Sequence, residues 1–369
     1  MPRGHSVGVK NSTCSGDIDA EDNLLSSSVW TVASRSQSRE HADHVLQQGA
    51  GLNHTPTTTS PPQDPPRPLV SVIMPTRDRV GLLRRAVASV CAQSERRFEL
   101  IIVDDGSTDG TAAYLQSLGA ADPRVRIVRN TIPAGGGGAR NAGIRVSRGD
   151  WVAFIDDDDE WLPLKLERQL QALASNAAAV ACTCSYRVEA ASGAAKVTAP
   201  RAATVAELLT YNSLGGASMC LCSAESLRDI GGFDASLRAG QDLDLWVRLR
   251  QKGEVAVCSE TLVVHRAHAG PRITTNAHSQ YLGVRHFYFK HRRLMDRTTR
   301  RHRVAYCCYV MSMQDTRRPS RRLRFLVIAV RHALPQYSPG FVRQSVSLLL
   351  KQAFSRGRAA VTPTYAARK

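Results

Sequence analysis

The sequence predicts an α/β protein built on a mainly parallel sheet with helices on both faces. Short Val- and Ile-rich runs recur at 69–74, 98–103, 125–128 and 151–155, with helix-spaced apolar residues between them. Each notable polar cluster stands at the carboxyl end of one of these runs, or opens the helix that precedes one. Alternation of this length gives a covered parallel sheet, and such sheets bind ligands beyond the carboxyl ends of their strands.

The first run is closed by Pro75, Thr76, Arg77 and Asp78, and Leu82, Leu83, Ala86, Val87 and Val90 then follow at helical spacing. The second run ends in Asp104 and Asp105 before a Gly106-Ser107 turn, and the third is the short 125–128. Residues 135–138 are four glycines, which read as a pliable loop because glycine is a poor helix interior. A helix is expected from about Ala139, its free N–H groups facing that loop and Arg140 adding a fork of donors. Such a loop either cradles a phosphate or is a plain connection beside a surface arginine. It lacks both the Lys-Ser/Thr ending of a P-loop and the placement of a dinucleotide fingerprint, so ATPase and NAD readings lose ground.

The fourth run, Trp151-Val152-Ala153-Phe154-Ile155, leads into four aspartates, Asp156, Asp157, Asp158 and Asp159. Crowded carboxylates repel one another unless something positive sits among them. Hard oxygen ligands of this kind select Mg²⁺ or Mn²⁺, and Mg²⁺ completes its shell with water and substrate phosphates. The alternative is a solvated acidic turn ahead of a helix. Further on, Gly231-Gly232-Phe233-Asp234 reads as a turn, and after Gly240 an amphipathic helix places Leu245, Trp246 and Leu249 inward. Asp242 falls in its first turn, as a partner of the helix dipole or as a general base. Asp244 points elsewhere, as a structural hydrogen-bond partner.

Pro75-Thr76-Arg77-Asp78, Val103-Asp104-Asp105-Gly106-Ser107-Thr108-Asp109, Ala139-Arg140-Asn141-Ala142-Gly143, Phe154-Ile155-Asp156-Asp157-Asp158-Asp159 and Gly240-Gln241-Asp242-Leu243-Asp244-Leu245-Trp246-Val247-Arg248 together resemble the ordered motifs of family 2 glycosyltransferases. The resemblance spans roughly 68–270. It implies a GT-A fold, a nucleotide-sugar donor (a uridine or thymidine donor from the base-binding carboxylate, with a UDP-sugar favoured), a divalent metal and inversion at the anomeric carbon. It assigns Pro75, Thr76 and Asp78 to the nucleoside pocket, Asp105 to the base and Arg140 to the diphosphate. Asp156 and Asp158 match the two acids of the Asp-x-Asp pattern, with Asp158 as metal ligand, Asp156 nearer the ribose and Asp157 beside it in the donor site. Asp242 matches the catalytic base. The family often carries Glu before that base, where this chain has Gln241. Val263-Val264-His265-Arg266-Ala267-His268 reads as a strand with Arg266 and His268 on one face. A similar Arg-x-His segment in the family approaches the diphosphate, which would make His268 a further metal ligand; the alternative is a partly exposed strand with its polar residues outward.

The remaining sequence sets the frame. Three regions are expected: a low-complexity extension (1–67) ending in a Pro-rich linker, the catalytic domain (68–275) and a basic helical extension (276–369). Of the nine cysteines, Cys182/Cys184 and Cys220/Cys222 have the spacing of strand residues sharing an apolar face, so packing is favoured over zinc. Reduced thiols and a polar N-terminus read as cytoplasmic. The net charge is +17, and residues 285–369 hold 20 Lys and Arg against Asp296 and Asp315, so the basic balance belongs to the tail. Its apolar stretches at 323–333 and 341–354 are too short to span a bilayer, which takes ~20 residues. Arginine-edged apolar faces suit an anionic membrane surface, placing the enzyme peripherally on the inner face of the cell membrane, near a glycan or lipid-linked acceptor. A solvated helical face is the alternative, and nucleic acid ranks behind both. Two classes of function stand: an active glycosyltransferase of cell-surface polysaccharide biosynthesis, and a non-catalytic binding protein on the same fold.

Overall fold

Among the described residues nine strands form one sheet in the order β3 (Val125–Arg129), β2 (Phe98–Asp104), β1 (Val70–Thr76), β4 (Trp151–Phe154), β8 (Leu221–Ser223), β6 (Ala179–Glu189), β9 (Glu254–Arg266) and β5 (Asp159–Trp161), with β7 (Ala195–Thr198) paired to β6. The structure, a computed structural model, describes residues 67–189, 195–266 and 276–314, with 323–325, 327–329 and 332. All described residues lie in one compact unit, within Arg67–Lys369. His268, the stretch at 341–354 and the expected N-terminal extension up to residue 66 lie outside the described residues.

The first half of the sheet is the parallel one expected: β1 (Val70–Thr76), β2 (Phe98–Asp104), β3 (Val125–Arg129) and β4 (Trp151–Phe154). They are joined through α1 (Val80–Cys91), α2 (Thr111–Ala121) and α3 (Gly135–Val146). β1 runs on through Pro75 to Thr76, two residues beyond the expected stop. Its pairing with β4 has ended by then, at Ile73 with Phe154, while the Asp105 N–H still bonds the Thr76 carbonyl at 2.9 Å. Backbone groups alternate sides along a strand, so the N–H that proline lacks would face the side where the ladder is over.

Beyond β4 the sheet becomes mixed. β8 (Leu221–Ser223) runs antiparallel to both β4 and β6 (Ala179–Glu189). β9 (Glu254–Arg266) is parallel to β6, while β5 (Asp159–Trp161) and β7 (Ala195–Thr198) pair antiparallel with β9 and β6. Helices α4 (Lys165–Ala174), α5 (Val205–Thr210), α6 (Ala224–Asp229) and α7 (Gln241–Arg250) lie between these strands in the chain, and α8 (Ala277–His291) and α9 (Arg297–Gln314) follow. Arg303 of α9 donates to the Leu208 and Leu209 carbonyls at the end of α5, where free carbonyls accept cationic donors.

The glycine run is a correction to the sequence reading. Helix α3 begins at Gly135, not at Ala139, so these glycines form its first turn. A first turn has unsatisfied N–H groups in any case, and here close approach demands the missing side chains. A Cβ on Gly137 would lie 3.1 Å from Gln241 Nε2 and 3.3 Å from the Ala235 backbone. Lower in the same helix, a Cβ on Gly143 would sit 2.5 Å from Ile73 Cγ2. Gly143→Ala is therefore expected to push α3 off β1 and destabilise the fold by about 1–3 kcal/mol, read as a lower midpoint of urea unfolding.

The buried faces of β1, β2 and β4 meet Leu83, Ala86, Val87 and Val90 of α1. Cys182, Cys184, Cys220, Cys222 and Cys258 are buried free thiols, and burial pushes Cys182 and Cys184 up to about 12, so they pack as small apolar groups. Among the described residues no helix is long and apolar enough to cross a membrane.

Candidate active site

The acidic run lies where β4 stops, and its turn separates the four carboxylates. Asp157 turns into the protein, accepting from Thr76 Oγ1 at 2.8 Å and Arg79 Nη1 at 3.1 Å. Burial pushes Asp157 up to about 6, partly offset by those two donors. Asp156, Asp158 and Asp159 stay together, each offering an oxygen within 4.8 Å of the others. Asp156 pairs with Arg140 Nη2, and Asp158 lies 3.5 Å from Arg79 Nη1. Three hard oxygen donors in this cluster fit a divalent cation better than any cysteine group, and they form the candidate metal-ligating set among the described residues.

Asp159 is buried, accepting from Ser218 Oγ and bonded to His265 Nδ1. Ser218 Oγ also receives the Asp156 N–H at 3.0 Å, so one hydroxyl ties both ends of the acidic turn. Ser218 stands in a single 3-10 turn, Ala217–Met219, whose carbonyl at Ser218 accepts from Trp161 Nε1 at 3.0 Å. His265 is the register partner of Asp159 across the β5–β9 ladder. Burial pushes Asp159 up; burial alone would lower His265, but its bond to Asp159 holds it above its ordinary range. Among the described residues, the histidine at the acidic cluster is His265, which the sequence reading passed over. Arg266, its neighbour, turns the other way to Glu160 and Glu189.

Arg140 projects from the second turn of α3 and is buried. Burial alone would lower it, but the charges of Asp156 and Asp242 keep it above its ordinary range. Its Nη1 stands 3.5 Å from Gln241 Oε1, and its buried Nε has no hydrogen-bond partner among the described residues. A buried donor without an acceptor is uncommon, and an anionic ligand such as a diphosphate would supply one. Next to it, Asn141 clamps the Gly231–Phe233 turn from both sides: its Nδ2 donates to the Phe233 carbonyl at 2.8 Å and its Oδ1 accepts the Phe233 N–H at 2.8 Å. Gly232 leaves room for this clamp, since a Cβ there would lie 2.5 Å from Asn141 Oδ1.

At the end of β1, Asp78 adopts φ 52 and accepts the Thr108 N–H at 2.7 Å, which lowers its pKa. Asp105, at the end of β2, accepts from Asn130 Nδ2 at 2.7 Å and from the Ala134 and Gly135 N–H groups, each at 2.8 Å. Pro75, Thr76, Asp78 and Asp105 thus surround the carboxyl ends of β1 and β2, with the α3 N-terminus tied to Asp105.

Asp242 is half-buried in the first turn of α7. Burial pushes it up to about 6; Arg140 and His265 work against the rise, while Asp156 and Asp159 add to it. Asp244 faces away, fully buried, and holds His291 Nε2, Lys290 Nζ and Arg248 Nε, each at 2.8 Å, the structural role expected for it. Asp242, Arg140, Asp156, Asp158, Asp159 and His265 form one charged cluster at the strand ends. It offers a fixed cation, a hard-oxygen cation site and a carboxyl group with a pKa near that of a working base.

Residues 71–228 match the family model for glycosyl transferase family 2. The Escherichia coli (strain K12) protein named as colanic acid biosynthesis glycosyl transferase WcaA is 31% identical over 242 residues, spanning 64% of this chain and 86% of that one. The Bacillus subtilis (strain 168) protein named for teichuronic acid biosynthesis, TuaG, is 34% identical over 194 residues, 52% of this chain and 75% of that one. The crystal structure of S. aureus TarS 1–349 in complex with UDP-GlcNAc resembles this fold with a TM-score of 0.57 at 15% identity, covering 71% of this chain and 81% of that one. At that identity the likeness is one of fold, and it agrees with a GT-A sheet.

Proposed function

The chain belongs to glycosyl transferase family 2, and on that premise we propose that it moves a sugar, with inversion, from a UDP-sugar to a hydroxyl of a glycan or lipid-linked acceptor in cell-surface polysaccharide biosynthesis. The observation that carries this reading is the buried Arg140 with its unpartnered Nε, held between Asp156 and the half-buried Asp242.

In this reading the nucleoside lies over Pro75, Thr76 and Asp78. Asp105 has three of about four lone-pair positions filled by the chain. The one left suits a base that offers an N–H, as uracil does. Asp158, with Asp156 and Asp159 beside it, would hold Mg²⁺ or Mn²⁺, which when bound supplies positive charge against the departing diphosphate. Arg140 donates to the same diphosphate as its charge grows. Asp242 accepts the proton of the acceptor hydroxyl. The acceptor oxygen bonds to the anomeric carbon as the bond from that carbon to the diphosphate oxygen breaks, its electron pair leaving with the nucleoside diphosphate. A single displacement inverts the anomeric centre.

The names of WcaA and TuaG, both belonging to polysaccharide synthesis, support the substrate class. The basic segment 285–369 supports a peripheral place at an anionic membrane surface. Product analysis by NMR and ion-exchange chromatography tests the chemistry. A nucleoside diphosphate and a glycoside of inverted configuration are expected; pyrophosphate release or retained configuration would overturn the reading. No turnover with any UDP-sugar, alongside intact nucleotide binding, would favour the non-catalytic alternative.

A further inference from the structure

A base can act only on a hydroxyl that reaches it, and the backbone beside Asp242 Oδ2, at Gly216, carries no side chain. Gln241 is turned toward Arg140 and the Leu237 carbonyl, and the Arg140–Asp156 pair fills the diphosphate side. Gly216 also lies beside the carboxylate: a Cβ on its backbone would meet only Asp242 Oδ2 at 3.6 Å and Met219 Cε at 3.9 Å. Both are ordinary contacts, and Gly216 has φ −82 and ψ −178, which any residue adopts. Neither backbone nor packing requires glycine there, and a larger side chain at 216 would stand against the Asp242 carboxylate.

The turn that presents Gly216 is rigid. Asn212 Oδ1 accepts the Leu214 and Gly215 N–H groups, each at 3.1 Å, and Asn212 Nδ2 and Trp246 Nε1 both donate to the Gly215 carbonyl, each at 2.9 Å. Gly215 itself has φ +89, and a Cβ there would stand 3.0 Å from Met219 Cε and 3.7 Å from Tyr186 Cε1. Met219 and Tyr186 therefore flank the Gly215–Gly216 turn that faces Asp242. The Tyr186 ring is half-buried and meets His265 edge to face at 5.0 Å. Val188 is the register partner of His265 and lies two residues along β6 from Tyr186, so all three share the face of the sheet that carries Asp159. Val188 is 36% exposed, so this face reaches solvent beside the tyrosine.

We propose that the acceptor is a pyranose that lies against the Tyr186 ring and delivers its hydroxyl to Asp242 across Gly216, so that these two residues set which acceptors enter. An aromatic ring offers a flat apolar surface to the C–H face of a sugar while the hydroxyl edge stays free. The inference rests on Asp242 being the base and assigns the acceptor side that the donor site leaves open.

The test uses the full chain loaded with UDP and Mn²⁺, with octyl β-glucoside, octyl β-galactoside and octyl β-N-acetylglucosaminide as probes followed by saturation-transfer NMR. Saturation of the pyranose ring protons is expected with the wild-type protein for at least one probe. Gly216→Val and Tyr186→Leu should each weaken that probe by about tenfold or more, a contact-sized effect in a tight pocket. Tyr186→Phe should stay within about threefold, since the ring and not bulk alone is at work. UDP affinity, measured in parallel, reports that each variant is folded. Variants that hold UDP yet bind the probe as the wild type does would overturn the proposal, as would no ring saturation with any probe on UDP-loaded wild type. Failure of the wild type to bind UDP would instead remove the donor reading, and this inference with it.

Discussion

Asp242→Asn is expected to lower the transfer rate by ~10²–10⁴-fold, the usual loss when a general base is removed, while nucleotide binding persists. The pH dependence gives this loss a signature. Burial and the charge of Asp156 push Asp242 up to about 6 against the pull of Arg140. Wild-type kcat/KM should therefore fall as pH drops through about 6, and the variant's residual activity should lack that limb. Stability moves the opposite way. A carboxyl raised in the folded state favours folding fully below its unfolded value of 3.8 and loses that contribution as pH rises through about 6. At pH 7–8 the ionised Asp242 thus weighs against the fold, and Asp242→Asn should raise the melting temperature there. The difference should vanish below about pH 4. A kcat/KM profile and thermal unfolding at three pH values check both halves.

Arg140→Ala is expected to cost ~10²–10³-fold in transfer, as loss of a fixed donor to a developing anion does, and unlike Asp242→Asn it should also weaken nucleotide binding. The guanidinium is the cation held directly against Asp156, and it stands in the fields of Asp242 and Asp157. Without it these acids repel one another and the incoming diphosphate alike. Arg140→Lys should not restore function, because a lysine cannot reproduce a planar fork that bonds Asp156 with one nitrogen while keeping Nε for the ligand. Isothermal titration of the two variants with UDP separates the roles. Binding kept at 242 and lost at 140 is the expected split; the reverse order would contradict the assignment.

The parallel half of the fold was legible because its strands are Val- and Ile-rich runs separated by helix-spaced apolar residues, and their ends are marked by polar clusters. So were the positions of Asp242, Arg140 and the acidic run. The mixed half was not, since β5 and β8 have three residues each and carry no period. That is why His265 escaped: its place beside Asp159 comes from a ladder between segments 106 residues apart. Ser218 escaped because its role depends on one 3-10 turn. The split of the four aspartates, with Asp157 turned to Thr76 and Arg79, is a matter of turn geometry that four identical letters do not encode. The start of α3 was misplaced because glycine's poor helix propensity was weighed without the close approach of Gln241 and Ala235 that requires it. Lys165 is fully buried, its Nζ 2.6 Å from Gln169 Oε1 and 3.9 Å from the centre of the Trp161 ring, where lysine in a sequence reads as surface.

The proposed activity depends on a nucleotide-diphosphate site at the strand ends, built from Arg140 and the acidic cluster. Calorimetric titration of the full chain with UDP, GDP and ADP, each with and without Mn²⁺, tests it most directly. The predicted result is Mn²⁺-dependent binding that favours UDP and is lost in Asp158→Asn. Absence of nucleotide binding under either condition, or binding indifferent to both metal and Asp158, would contradict it.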